Sequence, residues 1–283
     1  MQSRTKLKSA SLAVMLLMLA SPGVLAKGST AAANVTVLEP AFQMPGLQRS
    51  RILRLYLPPD YQSSNDSYPV LYMHDAQNLF DASTSYAGEW RVDESLNQLA
   101  QQGLKLIVVG IDNGGEFRNQ ELLPYSGPPI GQAQGDQYLQ FLVTVVKPYI
   151  DQHYRTKADA ANTGIMGSSM GGLISHYALL KYPQVFGRYG LFSPSYWAVG
   201  ANVQQFSQQL PLPGQRLYFY MGLQEGGSMV PDIERLVHKL VAKGMTAQQA
   251  QYRLVEGADH NEAAWAAEFS RAVLWLYQGK VLP

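Results

Sequence analysis

A chain of 283 residues, 46% of them hydrophobic, is long enough to bury a full core as one large α/β domain or as two small ones. Its formal net charge is +1 and no cluster of Lys and Arg stands out, which argues against nucleic acid or an anionic membrane as a partner. The chain has no cysteine, so disulfides and thiol-linked lipids are excluded and the core must supply the stability.

The first 26 residues have the pattern of a secretory signal peptide. Three basic residues lie within the first eight, an apolar run follows at 12–20, and small residues end at Ala26. A membrane anchor is the less favoured alternative, because a span needs about 20 apolar residues. Cleavage after Ala26 would leave residues 27–283, with a net charge of about −2, in the bacterial periplasm or outside the cell.

Short apolar, β-branched or aromatic runs alternate along the chain with longer stretches of helical periodicity. The predicted strands are 34–39, 51–58, 69–74, 105–112, 162–167, 188–193, 216–222 and 251–256, and the predicted helices are 89–102, 136–154, 170–181, 231–243 and 261–278. The first two runs are followed by turns and predict antiparallel edge strands, whereas the later alternation predicts a parallel sheet covered on both faces. This is the plan of the α/β-hydrolase fold, with about eight strands in one domain.

The stretch NTGIMGSSMGGLISHYAL places a glycine-flanked serine where a strand should become a helix. A plain tight turn is one interpretation, and Gly-x-Ser-x-Gly also arises by chance. The strand–turn–helix context nevertheless favours a nucleophile elbow, in which Ser169 stands above the sheet. In open α/β sheets the active site gathers at the carboxyl ends of the strands, where Ser169 is expected.

A serine nucleophile needs a base to take its proton, and the chain offers five histidines. His260 lies between the last strand and the last helix, where the loop can fold back over Ser169, and the order Ser–acid–His of this fold also puts the base last. The other four have ordinary structural interpretations: His74, His153, His176 and His238.

The acid that orients the base must lie between Ser169 and His260. Five carboxylates satisfy that order: Glu225, Asp232, Glu234, Glu256 and Asp259. Two of them open a helix, where negative charge is favourable in itself, and two are too near His260 to turn back on its ring. Glu225 lies in a glycine-rich loop after the penultimate strand and is the predicted acid, with Asp232 as the alternative.

Two backbone N–H groups should stabilise the developing oxyanion. One is that of Met170, and the other is expected from Ala76 or Gln77, after the strand at 69–74. The segment FSPSYW predicts Ser193, Ser195, Tyr196 and Trp197 on the wall of the site, although Trp197 has an equal interpretation as core.

A long connection follows the strand at 105–112 and contains Arg118 and Tyr125, which could meet a substrate if they do not simply lie in solvent. The chain has neither His-Glu-x-x-His nor a phosphate-binding loop with lysine, so no metal and no organic cofactor are expected.

The segment LYMHDAQNLFD resembles the HDGQNLFD segment of the putative esterase family, which includes esterase D, enterobactin-type siderophore esterases, and feruloyl and acetylxylan esterases. RLYLPPDY, GEWRVDESL, IVVGIDN, MGSSMGGLISHYAL, LFSPSYW and GADHNEAAW resemble successive blocks of that family over nearly all of residues 27–283. The resemblance implies an α/β-hydrolase fold and assigns Ser169, His260 and Glu225 to the triad. Two departures are Ala76, where the family usually has Gly, and Glu225, where Asp is more common.

These observations predict an exported serine carboxylic-ester hydrolase that forms an acyl-enzyme on a small-molecule or glycoside ester. A siderophore trilactone, a feruloyl or acetyl sugar ester and acyl transfer, as in the related mycolyltransferases, all remain open. A binding protein with an inactive hydrolase site is the non-enzymatic alternative, and the oligomeric state is left open.

Overall fold

The computed structural model describes residues 28–280, so the predicted signal peptide lies outside the described residues. Eight strands form one sheet in the order β1-β2-β4-β3-β5-β6-β7-β8. The strands are β1 (Val35–Met44), β2 (Arg49–Tyr56), β3 (Val70–His74), β4 (Ile107–Ile111), β5 (Thr163–Ser168), β6 (Arg188–Phe192), β7 (Arg216–Gly222) and β8 (Ala250–Val255). β1 pairs antiparallel with β2 and β2 antiparallel with β4, while the remaining pairs are parallel. The predicted α/β-hydrolase fold, with its antiparallel edge, is therefore confirmed.

Helices cover both faces of the sheet. They are α1 (Val92–Gln101), α2 (Arg118–Glu121), α3 (Gly135–Phe141), α4 (Lys147–His153), α5 (Met170–Lys181), α6 (Met229–Ala242) and α7 (Glu262–Gln278). A π-helical turn, Leu142–Val146, joins α3 to α4, so the helix predicted over 136–154 is continuous. The connection after β4, predicted as a loop, contains α2 and a 3₁₀ turn at Gly115–Phe117.

The core lies in two layers, one on each face of the sheet. Alternate residues of β3 separate them, because side chains of a strand point to opposite faces. Val70 and Tyr72 belong to the layer under α3–α6, and Leu71 and Met73 belong to the layer under α1 and α7. Burial on both faces explains why the strands read as nearly continuous apolar runs in the sequence.

The strand order reverses around β3, since β4 lies on one side of it and β5 on the other. Loops leaving these strands in opposite directions open a crevice at their carboxyl ends, the usual place for a ligand in an open α/β sheet. Within residues 28–280 there is no helix long and apolar enough to cross a membrane.

Candidate active site

Ser169 is the single residue between β5 and α5, and its backbone is strained. Its φ is 57° and its ψ is −120°, a combination that costs a residue with a side chain on the order of 1–3 kcal/mol. The turn is held on both sides: the Ser169 N–H donates to the carbonyl of Phe192 on β6 (2.9 Å), and the Leu173 N–H donates to the Ser169 carbonyl (3.0 Å). This conformation is the one expected of a nucleophile elbow.

The glycines around Ser169 are required by how closely α5 approaches the sheet. A Cβ on Gly167 would lie 2.8 Å from His74 Cδ2 and 3.0 Å from the backbone of Gly171. A Cβ on Gly172 would lie 2.7 Å from the Phe192 carbonyl oxygen. The first turn of α5 therefore lies against β5 and β6 at distances that leave no room for a side chain.

His260 and Glu225 are brought together although 35 residues separate them. His260 Nδ1 donates to Glu225 Oε2 at 2.8 Å. Glu225 Oε1 accepts from Ser193 Oγ (2.5 Å) and from the Gly222 N–H (2.9 Å), and the Glu225 side chain is fully buried. Ser193 Oγ in turn accepts from Trp265 Nε1 at 2.9 Å. The carboxyl group is thus fixed by three donors, one of which is the imidazole.

The bond to Glu225 fixes the tautomer of His260, because it places the proton on Nδ1 and leaves Nε2 as an acceptor. The Trp265 ring lies edge-on to the imidazole, with 5.0 Å between the ring centroids. About a third of the His260 side chain is exposed, and both His260 and Ser169 line the same cavity. A base with this orientation can accept a proton from a hydroxyl group within that cavity.

The cavity has a volume of about 650 Å³ and lies at the carboxyl ends of β3, β4 and β5. Trp90 and Trp265 form an apolar part of its lining, whereas Asn78, Asn113 and Thr84 supply polar groups. Tyr86 also lines the cavity, and its side chain is 98% exposed, so it forms an edge of the entrance.

Asp75 and Arg118 form an ion pair on the cavity wall. Arg118 donates through Nε (2.6 Å) and Nη2 (2.8 Å) to the two oxygens of Asp75, and Asn113 Nδ2 also donates to Asp75 Oδ1 (2.9 Å). Burial acts to raise the pKa of Asp75, but the Arg118 guanidinium outweighs it and the pKa is lowered. Arg118 lines the cavity, as expected of a residue that meets a substrate, while its charge is matched by Asp75.

The loop after β3 is fixed by the side chain of Gln77. Its Oε1 accepts from the Asn113 N–H (2.9 Å) and its Nε2 donates to the Asn113 carbonyl (3.3 Å). The Ala76 methyl points away from the cavity into the core, because a Cβ built on Gly110 would lie 2.7 Å from it. The extra methyl of Ala76 is therefore accommodated by a glycine on β4 and does not crowd this loop.

The segment FSPSYW only partly lines the site. Ser195 Oγ lies 3.0 Å from Ser169 Oγ, within hydrogen-bonding distance. The prediction that Tyr196 lines the wall is wrong: its ring is buried in the core and its hydroxyl bonds His176 Nδ1 at 2.8 Å. Trp197 is 46% exposed and lies outside the cavity lining, so it is neither core nor wall.

Other polar candidates have partners of their own. His74 Nδ1 bonds the Tyr138 hydroxyl (2.6 Å) and its Nε2 bonds Ser175 Oγ (3.1 Å). Asp232, the alternative acid, accepts from Ser228 Oγ (2.7 Å) and pairs with Arg235 on the surface of α6. Tyr125 packs edge-on against Tyr177 and does not line the cavity, so of the two residues proposed for that loop only Arg118 does.

Of the cavity residues that were not singled out from the sequence, two carry a hydroxyl or carboxyl group at the end of a long side chain. Glu262 lines the cavity two residues after His260 and accepts from Asn78 Nδ2 at 3.2 Å. Tyr86 is the other, on the loop between β3 and α1. Glu262 falls within GADHNEAAW, so its proximity to His260, the predicted base, was the one signal that could have found it, whereas nothing in the sequence marked Tyr86.

Comparison with known proteins gives the family. The family model described as "Putative esterase" matches residues 45–276. The chain is 29% identical over 242 residues to "Uncharacterized protein YbbA" of Bacillus subtilis, covering 81% of this chain and 93% of that protein. It is 24% identical over 221 residues to an endo-1,4-beta-xylanase/feruloyl esterase of Xylanibacter ruminicola, covering 75% of this chain and 27% of that longer protein.

A solved structure has the same fold. The enterobactin esterase FES from Shigella flexneri superimposes with a TM-score of 0.71 at 18% identity, over 88% of this chain and 61% of that one. Together with the family match, this fold supports the resemblance found in the sequence blocks. The chain belongs to the putative esterase family of α/β-hydrolases and is a carboxylic ester hydrolase.

Proposed function

We propose that residues 27–283 form a single-domain serine esterase that works through Ser169, His260 and Glu225. The observation that carries the proposal is the Glu225–His260 hydrogen bond of 2.8 Å on the same cavity as a serine held in a strained elbow. A buried acid, an oriented base and a presented hydroxyl group are the three parts that nucleophilic ester cleavage requires.

In the proposed reaction, Ser169 Oγ attacks the ester carbonyl carbon while its proton passes to His260 Nε2. The hydroxyl first turns away from Ser195 Oγ, its neighbour at 3.0 Å. The Met170 N–H and the N–H of Gln77 stabilise the oxyanion, with Ala76 as the alternative second donor. His260 then returns the proton to the leaving alcohol, and water attacks the acyl-enzyme by the same route in reverse. Glu225 stabilises the imidazolium throughout.

A fluorophosphonate probe tests this proposal directly, because such a probe phosphonylates only an activated serine. We expect a single adduct on Ser169, located by tandem mass spectrometry, and hydrolysis of a small activated ester. Ser169→Ala should lose both. Ser168→Ala is the matched control, since Ser168 also lines the cavity but ends β5 before the elbow. An adduct that survives Ser169→Ala and disappears in Ser168→Ala would contradict the assignment.

We also propose that the enzyme is exported and acts in the periplasm or outside the cell. The support is the basic, apolar and small-residue pattern that ends at Ala26. The substrate is a small-molecule ester, and the relatives named for feruloyl and enterobactin esters indicate its size and class. Analysis of products with and without an added acceptor alcohol separates hydrolysis from acyl transfer.

A further inference from the structure

Glu262 has a position that the proposed ester cleavage does not use. It is the first residue of α7, its side chain is buried, and it faces the cavity. Its carboxyl group accepts a hydrogen bond from the Asn78 amide at 3.2 Å. Burial raises the pKa of Glu262, because the charged carboxylate is less well solvated there than in water. A carboxyl group in this state gains most from a ligand that donates a hydrogen bond or carries positive charge.

The charged side chains that line the cavity carry more negative than positive charge. Arg118 is the one Arg or Lys among the described residues that line it, and the guanidinium is bound through two nitrogens to Asp75. Glu262 therefore leaves a surplus of one negative charge among the Asp, Glu, Arg and Lys side chains that line the cavity. An anionic group on a substrate would meet this surplus without a free cation to receive it.

We propose that Glu262 determines the charge specificity of the site, favouring esters with a cationic or hydroxyl group near the reacting carbonyl and rejecting anionic ones. This inference rests on the proposed serine esterase function. The Asn78 amide holds the carboxyl group in place, and Asn113, Asn119 and Thr84 are polar residues that line the same cavity. Glu262 does not act on the reacting atoms and is a positioning and selecting residue.

The test compares acetate esters of similar length that differ in one distal group. The ratio of kcat/KM for the trimethylammonium ester to that for the tert-butyl ester measures the effect of charge. The ratio for the hydroxyl ester to the methyl ester measures the effect of hydrogen bonding. The carboxylate ester is the anionic substrate that we expect to be disfavoured. Two unit charges about 6 Å apart near a protein surface interact strongly enough to change binding more than tenfold. We expect kcat/KM of the wild-type enzyme to favour the cationic or the hydroxyl ester over the anionic one by about tenfold or more.

Glu262→Gln keeps the size and the acceptor for Asn78 but removes the charge. We expect it to lower the larger of the two ratios, trimethylammonium to tert-butyl or hydroxyl to methyl, about fivefold or more, and to do so through KM. If only the ratio of trimethylammonium to tert-butyl ester falls, the natural substrate is of the ammonium type. If only the ratio of hydroxyl to methyl ester falls, it is a polyol ester. Glu256→Gln is the matched control, because it removes the same charge from an exposed position before His260. Glu262→Asp keeps the charge and should retain the ratio.

Fluorophosphonate labelling of each variant reports whether the fold and the nucleophile are intact. If the wild-type protein neither labels nor hydrolyses any ester, the proposed esterase function fails. If it labels and hydrolyses but both ratios of Glu262→Gln stay within twofold of wild type, only the role of Glu262 is overturned. A ratio lost equally in Glu262→Gln and Glu262→Asp would indicate packing instead of charge and would also overturn it.

Discussion

Replacing Glu225 by Gln is the sharpest test of how the site is organised. In the wild-type enzyme Glu225 Oε1 accepts two hydrogen bonds and Oε2 accepts the third, from His260 Nδ1. Glutamine keeps its oxygen best where Ser193 Oγ and the Gly222 N–H both donate. Its NH₂ group then faces His260 Nδ1, which must become an acceptor, so the imidazole proton moves to Nε2 and the base is lost.

The magnitude follows from this change of tautomer. In the serine-protease triad, the corresponding change of carboxylate to amide lowers kcat about 10⁴-fold because it produces the wrong tautomer of the histidine. A loss of 10⁴ corresponds to about 5.5 kcal/mol in the activation free energy. Stability should fall by about 1–3 kcal/mol, because the charge is lost from three buried hydrogen bonds. For a chain of this size the melting temperature should then fall by several degrees at most.

The assay is kcat/KM on one activated ester, with circular dichroism to follow the melting temperature. Asp232→Asn is the control, because Asp232 pairs with Arg235 on the surface of α6, an interaction worth about 0–1 kcal/mol. We expect its activity within twofold of wild type. Activity of Glu225→Gln within tenfold of wild type, or an inactive Asp232→Asn, would refute the reasoning.

Three further predictions rest on other features. Gly172→Ala should destabilise the protein by about 1–3 kcal/mol in urea unfolding and lower activity, because its Cβ would lie 2.7 Å from the Phe192 carbonyl oxygen. Burial lowers the pKa of His74 to about 4 and that of His176 to about 3, so both stay neutral in the fold. The unfolded chain binds their protons below pH 6.5, so these two histidines together should lower the free energy of unfolding by up to about 2.7 kcal/mol per pH unit as the pH falls from 6 to 5. Mass spectrometry of the protein from its native host should find an N-terminus within a few residues of Lys27.

Each of these has a control and a contradicting result. Gly226→Ala is the control for Gly172→Ala, since a Cβ at Gly226 has nothing within 4 Å, and equal stability of the two variants would contradict the packing described. His176→Leu should remove the contribution of His176 to the pH slope, up to about 1.4 kcal/mol per pH unit, and an unchanged slope would show that His176 is not a group titrating there. A chain recovered with Met1 would contradict export.

The strands could be predicted because each carries an apolar run bounded by turn residues, and all eight are confirmed to within a few residues except the end of β1. That strand continues to Met44, past Pro40, because an irregularity between Leu38 and Phe42 allows the pairing with β2 to resume. No periodicity in PAFQM signals this, since the pairing depends on a partner strand that the local sequence does not contain.

Side-chain direction after β6 could not be predicted. A 3₁₀ stretch, Tyr196–Ser207, follows that strand, and it turns Tyr196 inward to His176 while leaving Trp197 half exposed. The sequence FSPSYW is equally compatible with an exposed Tyr196 and a buried Trp197. Glu262 was hidden for another reason: an acidic residue in the first turn of a helix needs no explanation beyond the helix dipole, and only the folded chain brings it to the cavity of Ser169.

Strained backbone is concentrated where the chemistry is proposed. Of the five described non-glycine residues with positive φ, three lie directly after β3, β5 and β6, and these are Asp75, Ser169 and Ser193. Each would cost on the order of 1–3 kcal/mol alone, so each needs surrounding contacts that determine its conformation.

For two of these residues the hydrogen bonds run in sequence across the sheet. The Ser169 N–H donates to Phe192 at the end of β6, and the next residue, Ser193, donates its N–H to Tyr220 on β7 (2.8 Å). Ser193 then donates its hydroxyl to Glu225, the residue bonded to His260. The proposed nucleophile and the proposed acid are therefore positioned by one series of bonds through buried strand ends. Because these bonds belong to the sheet itself, a chain without disulfides can hold the strained turn and the base in a fixed relation.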